Sequence, residues 1–345
     1  MVWRVRDAQF GRLTGRVALT ATAVLALALA SSCSALSGSS DSSSGGANTQ
    51  GLEKATINVG GIAGASSAAL YIAFDKGYFK QEGLNVNIKT TTNGTQALQA
   101  LSSKSLDITL ANDVSGIKAK VKGSPLKLVF DGPGASPHTY VVTALPGTKI
   151  KSLADLEGKK VGVSSLNDAV AATLTDSLIA VNVQPSTVKF VTVPYANGPQ
   201  DLKAHVVDAT VLSEPYITQS AASMGAIPVV DVFPQGSESA NIPIAGFFAS
   251  DTFVKNDPKT LAAFQRAMAK GATDASNRQI AEASISKHLS KLSKQVLDVM
   301  ALPDFPADLD PNRIQRVADL MQKAGFLKTH FDVRQVLAPF AASSS

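Results

Sequence analysis

Glycines, hydroxyls and carboxylates stand in this sequence at places where a small solute could be held. "GGIAGASSAAL" supplies Gly60, Gly61 and Gly64, which let backbone approach a ligand, then Ser66 and Ser67 at the start of an apolar helical run. "NGT" (Asn93, Gly94, Thr95) and "SS" (Ser164, Ser165) open two more helical runs. "AND" ends a strand-like segment at Asn112 and Asp113, and "SEPY" ends another at Glu214 and Tyr216. Helix starts rich in Ser, Thr and Gly offer free backbone N–H groups to an oxyanion such as a sulfonate or carboxylate. Asp113 and Glu214 would repel a simple anion and suit a ligand that also carries an amine or other donors: an aminosulfonate, an amino carboxylate or a pyrimidine. Tyr71, Tyr195, Tyr216 and Phe247 are flat faces on which a ring could stack. His138 reads as a structural or solvated histidine. Catalytic signatures are missing. There is no G-x-S-x-G elbow, no phosphate-binding P-loop, no G-x-G-x-x-G fingerprint and no paired-histidine metal motif, and the four histidines are scattered. The sequence therefore predicts a binding protein without catalytic residues, cofactor or metal.

The elements that must position these residues alternate regularly. Strands are predicted at 55–60, 84–90, 106–111 and 126–131, with helices near 66–77, 94–103 and 113–122 between them. This βαβαβαβ order implies a mostly parallel sheet with helices on both faces. In such sheets ligands gather beyond the carboxyl ends of the strands, which is where the residues above stand. In "LYIAFDKGYFKQEGLNVNI" (70–88) the helix should stop at Gly77 in a left-handed conformation. Phe74, Tyr78 and Phe79 would then plug its far end, and Leu84, Val86 and Ile88 alternate as a half-buried strand. A second series has a short helix and strand in 152–165, a helix at 166–181, strands at 188–194, 208–215 and 227–233, and a helix near 198–206. "HTYVVTA" (138–144) and "IAGFFAS" (244–250) border it as two crossover strands. Helices follow from Asp257–Pro258 and near 279–291, 310–325 and 332–340.

The amino terminus is of another kind. A basic stretch with four arginines precedes "VALTATAVLALALA" (17–30), an apolar run in signal-peptide range and too short for a typical membrane span. "ASSC" then brings Cys33, the one cysteine of the chain, and resembles a bacterial lipoprotein signal, which implies lipidation at Cys33 and anchoring to a membrane. One departure is Ala30 where leucine is usual. A Ser/Gly tether follows (34–50), with an r.m.s. span of roughly 20–25 Å. Formal charge is +5, but about +2 once the first 32 residues are set aside, and hydrophobic residues make up 45%. This excludes a nucleic-acid partner on charge grounds and allows a sizeable core. A monomer is expected.

Four segments, in order, carry a family likeness: "YIAFDKGYFKQEGLNVNI", "GTQALQALSSKSLDITLAND", "SLADLEGKKVGV" and "VPYANGPQDLKAHVVDATVLSEPY". Over roughly 55–275 the chain resembles the substrate-binding proteins of the nitrate, aliphatic-sulfonate, taurine and thiamine-pyrimidine class, which serve ABC importers. The resemblance implies an α/β, periplasmic-binding-protein-like fold, two α/β lobes joined by two hinge strands with a small-molecule ligand in the cleft. It also implies an ABC transporter permease as partner and an extracytoplasmic location. The expected division is a signal (1–32), Cys33 with its linker (33–53), one lobe from 54–140 and 245–345, and another from 141–244. Relatives that synthesise a pyrimidine share this fold, but their cysteine-rich motif is missing here. Such an enzyme, or an extracellular sensor, is the alternative.

Overall fold

The computed structural model describes residues 51–289 and 292–341. The signal, Cys33 and nearly all of the linker lie outside these residues. The first series runs β1 (Thr56–Ile62), α1 (Ala68–Asp75), α2 (Tyr78–Gln81), β2 (Asn85–Thr91), α3 (Gly94–Ser102), β3 (Ile108–Asn112), α4 (Asp113–Val121) and β4 (Leu126–Asp131). The second runs β5 (Tyr140–Ala144), β6 (Lys160–Val163), α5 (Ala169–Ala180), β7 (Lys189–Thr192), α6 (Gly198–Lys203), β8 (Ala209–Ser213), α7 (Tyr216–Met224) and β9 (Ile227–Asp231). The chain continues with β10 (Ala245–Ser250), α8 (Asp251–Asn256), α9 (Pro258–Ala275), α10 (Arg278–His288), α11 (Lys294–Val299) and α12 (Pro311–Lys323). Among the described residues no helix is long and apolar enough to cross a membrane.

Two five-stranded sheets result, in the orders β2-β1-β3-β10-β4 and β7-β6-β8-β5-β9. Their interiors are read directly from the sequence. β3 and β8 are buried at every residue, so both of their faces are covered, whereas edge strand β2 alternates. Each sheet is parallel except for one member. β5 inserts antiparallel between β8 and β9, and β10 inserts antiparallel between β3 and β4. These are the two crossover strands, and the molecule is a pair of α/β lobes joined through them, as the periplasmic-binding-protein fold requires.

Some local expectations hold in the folded chain and others do not. Gly77 does take the left-handed conformation (φ 72°). Phe79 is buried and stacks on Phe264 of α9 at 5.7 Å. Tyr78 donates to Asp274 at 2.5 Å. Phe74, however, is 41% exposed, so the plug is formed by Phe79 with Tyr78 at its rim. The helix expected at 332–340 is a single 3-10 turn, Val333–Gln335. Beyond it the chain lies along β4: Leu128 N–H donates to Val336 O at 2.8 Å and Ala338 N–H to Leu128 O at 2.9 Å. Pro339 cannot continue a helix, and the exposed edge of β4 needs partners that extended chain supplies. The helix expected at 279–291 ends at His288, and the short α11 follows it.

Candidate ligand-binding site

The loop after β1 is held by its own side chains. Ser67 is buried; its hydroxyl donates to Ile62 O at 2.7 Å and accepts from Ile62 N–H at 3.0 Å, so it ties the loop rather than capping α1. A Cβ on Gly60 would stand 2.2 Å from Thr109 Oγ1, so this glycine serves the packing of β1 against β3. Gly61 faces Leu70 and Ser67. Gly64 is extended, and a Cβ there would lie 3.6 Å from the Glu214 carbonyl oxygen. Ser66 stands 3.4 Å, hydroxyl to hydroxyl, from Tyr140 of β5. Gly64 and Ser66 thus touch residues of the second sheet's series directly.

At the end of β2, Asn93 caps α3 by accepting from Gln96 N–H at 3.0 Å. Gly94 packs on Asn112, whose backbone nitrogen would be 2.9 Å from an added Cβ. Asn112 is 9% exposed and makes no side-chain cap bond. Asp113, placed at the cleft edge from its position at a strand end, has no exposed surface. It lies below the site, near Asp131 and Arg313. Phe247 is likewise interior, packed on Phe130 and Phe264. His138 is exposed and pairs with Asp231 at 3.4 Å.

In the second series the helix expected from 166 begins at Ala169. Asp168 is its cap, accepting from Ala171 N–H at 2.8 Å and from the Ser164 hydroxyl at 2.7 Å. Ser165 accepts from Asn167 N–H at 3.0 Å. The α5 terminus that Ser164 and Ser165 were expected to open for an anion therefore carries a carboxylate of its own. The sequence signal was there, an aspartate immediately before the apolar run "AVAATL". Burial pushes Asp168 up to about 6, against the lowering effect of its hydrogen bonds. Burial, and secondarily the charge of Asp168, raise Tyr140 to about 12, and the same causes hold Tyr195 well above the usual tyrosine range. Both phenols therefore stay protonated. Their rings lie 6.0 Å apart.

Glu214 is buried and accepts from Thr218 Oγ1 at 2.8 Å, Thr218 N–H at 3.2 Å and Ala301 N–H at 3.3 Å. Burial raises its pKa, and these bonds oppose the shift. Tyr216, raised by burial, is close enough to Tyr71 to raise that phenol further. Tyr71 stacks on His288 at 4.2 Å with the rings within 4° of parallel. α4 meets the loop before α5 where the Ser115 hydroxyl donates to Asn167 O at 2.6 Å and Lys118 binds the Asn167 side chain. Two groups of neighbours result. Ser66 meets Tyr140, whose ring lies beside Tyr195, and Asp168 is near enough to raise both phenols. Ser67 neighbours Tyr71, which lies near Tyr216 and stacks on His288, and Glu214 stands two residues before Tyr216 in the chain. Tyr140 and Asp168 were not singled out from sequence.

A family model described as NMT1/THI5 like matches residues 65–281. The chain belongs to the NMT1/THI5-like family. The matched span holds the candidate residues from Ser66 to Tyr216. Among relatives of this NMT1/THI5-like chain, a putative thiamine biosynthesis protein of Haemophilus influenzae is 25% identical over 289 residues, covering 80% of this chain and 88% of that one. A formylaminopyrimidine-binding protein of Halalkalibacterium halodurans is 28% identical over 156 residues, covering 45% of this chain and 44% of that one. Of the solved structures, the ligand-binding component of an ABC-type import system from Staphylococcus aureus is similar with a TM-score of 0.71 at 16% identity, covering 83% of this chain and 97% of that one. The alkanesulfonate-binding protein SsuA from Xanthomonas axonopodis pv. citri, bound to MOPS, gives 0.70 at 17% identity, covering 83% and 98%. At these identities the structures establish the fold.

Proposed function

We propose that this NMT1/THI5-like protein is an extracytoplasmic solute-binding lipoprotein. It binds and releases a small nitrogen-bearing ring of the thiamine-precursor kind between its lobes and delivers it to the permease of an ABC importer. The observation that carries the ligand class is the pair of buried carboxylates, Asp168 and Glu214, in the same region as the hydroxyls and rings of Ser66, Tyr71, Tyr140 and Tyr195. Serine and phenol hydroxyls can donate to a sulfonate or nitrate, but buried carboxylates oppose an anion. A neutral or cationic amino-substituted ring offers N–H groups to acceptors and a flat face to tyrosines. The formylaminopyrimidine-binding relative and the thiamine biosynthesis relative support the same choice over the sulfonate and nitrate alternatives.

The anchor at Cys33 is part of this reading. Cells lacking the chain should lose uptake of labelled formylaminopyrimidine, and the wild-type gene should restore it. Cys33→Ser should leave the protein out of the membrane fraction, because stable anchoring depends on acyl chains at that residue. Uptake that persists without the gene would overturn the delivery role, and identical fractionation of wild type and Cys33→Ser would overturn the anchor.

A further inference from the structure

Below the site, outside the residues just described, two buried carboxylates stand near one arginine, Arg313, whose side chain is 17% exposed and which pairs with Asp131. Asp113 opens α4, Asp131 ends β4, and neither has exposed surface. Arg313 of α12 reaches Asp131: its Nε stands 2.9 Å from Asp131 Oδ2, and its Nη1 donates to Asp304 at 3.0 Å. Asp131 also accepts from Gly132 N–H at 2.9 Å. Neither oxygen of Asp113 has a hydrogen-bond partner among the described residues. The other charged groups facing the pair come from the segment before α12, Asp304 and Asp308. β10 presents only Gly246, where an added Cβ would stand 2.9 Å from Asp113 Oδ1.

The place is where the chain crosses between the sheets. Asp113 N–H donates to Ile244 O, and Ile244 N–H to Pro133 O. Gly134 bridges to Pro243 and to Asp304, and Arg313 passes so close over Gly134 that a Cβ there would overlap its guanidinium. α12 continues away from this point to pack on α5, with Lys323 paired to Asp176 of α5 at 3.1 Å and to Glu238 at 2.9 Å. Three backbone segments of the crossover, 132–135, 242–246 and 301–305, therefore meet beside a pair of buried carboxylates of which only Asp131 is paired with a cation among the described residues. An ionised carboxylate without partners is not sustained in such surroundings, and two adjacent ones share a proton.

We propose that Asp113 and Asp131 hold one proton between them at neutral pH, and that this proton latches the crossover segments. Burial pushes Asp131 up to about 7 and raises Asp113 strongly, with the neighbouring Asp131 charge as the next cause. Both lie above the ordinary aspartate value in the unfolded chain. The folded state therefore holds protons that the unfolded state has released. The stabilisation is complete in acid and is lost as pH rises through about 7 and beyond. Loss of the proton leaves uncompensated buried charge under β10 and loosens the crossover.

The test is carbon-13 NMR of the aspartate-labelled protein from pH 4 to 9, with amide exchange, corrected for its intrinsic pH dependence, at Gly132, Gly134, Ala245 and Gly246. A carboxyl resonance titrating near or above neutrality in wild type, gone in both Asp113→Asn and Asp131→Asn, is the expected result. It should be accompanied by at least tenfold faster corrected exchange at those amides at pH 9 than at pH 6, while the β6 and β8 amides stay unchanged. Asp113→Asn should abolish that pH effect. If no aspartate resonance other than that of Asp168 titrates above pH 5, or if the one that does persists in both variants, the shared proton is refuted. If the resonance titrates but crossover exchange does not follow, the latch is refuted. Should the variants fail to fold, the wild-type titration and exchange still decide both points.

Discussion

Gly271→Val should be among the most damaging single substitutions in this protein. Gly271 lies mid-way along α9, where an exposed glycine would cost roughly 1 kcal/mol relative to alanine, so that alanine would ordinarily stabilise. Here a Cβ would fall 2.4 Å from the Ala69 carbonyl oxygen, 2.9 Å from Ala73 Cβ and 3.2 Å from Ala73 N. Two of those three atoms are backbone of α1, so no rotamer change relieves the clash, and the helices must separate. Valine should cost about 3 kcal/mol, at the upper end of overpacking, and alanine about 2 kcal/mol. For a domain of this size the valine penalty corresponds to a fall of roughly 6–12 °C in the unfolding midpoint. Because α1 follows directly on Ser66 and Ser67, which the proposed function places at the ligand, affinity should fall with stability. A scanning-calorimetry midpoint within 1 °C of wild type, with the threshold set as roughly a third of a kcal/mol, would contradict the close α1–α9 packing.

The second large effect concerns charge at the site. Glu214→Gln keeps the shape of a side chain that accepts three hydrogen bonds and removes its negative charge. Against an aminopyrimidine it should cost about 2 kcal/mol, close to thirtyfold in Kd. Against an alkanesulfonate the same change should be neutral or favourable. Asp168→Asn is the companion: asparagine caps a helix as well as aspartate does, so α5 should keep its start while the charge near Tyr140 and Tyr195 disappears. Its effect should be about 1 kcal/mol, because its interaction with the ligand runs through the tyrosines. With Asp168 titrating at about 6, the wild-type affinity for a cationic ring should rise from pH 5 to pH 7 as that carboxylate ionises, and Asp168→Asn should flatten the rise. Equal affinities for both variants and wild type, on both ligands, would remove these carboxylates from recognition.

What was legible in the sequence is what local pattern dictates. The alternation of β2 and the left-handed glycine at 77 are properties of a few adjacent residues, and they appear where expected. The two crossover strands were legible because they interrupt a regular α/β order. The stretch at 332–340 was misread because its partner is β4, far away in sequence, and that pairing overrides a helical composition. Asp113 was drawn to the cleft by its place at a strand end. Only the folded chain shows that Asp131 and Arg313 enclose it. The start of α5 was set too early because two serines looked like a helix opening, although Asp168 caps better and sits nearer the apolar run. Tyr140 has no motif around it, and its role follows from the contact with Ser66 across the lobes.

Closure of the lobes on an amino-substituted ring, rather than on an oxyanion, is decided by calorimetric titration of the wild-type protein with formylaminopyrimidine and, separately, with MOPS. One pyrimidine should bind per chain, with affinity that weakens in Glu214→Gln, and the sulfonate should give no heat of binding. Saturable binding of MOPS with none of the pyrimidine would contradict it.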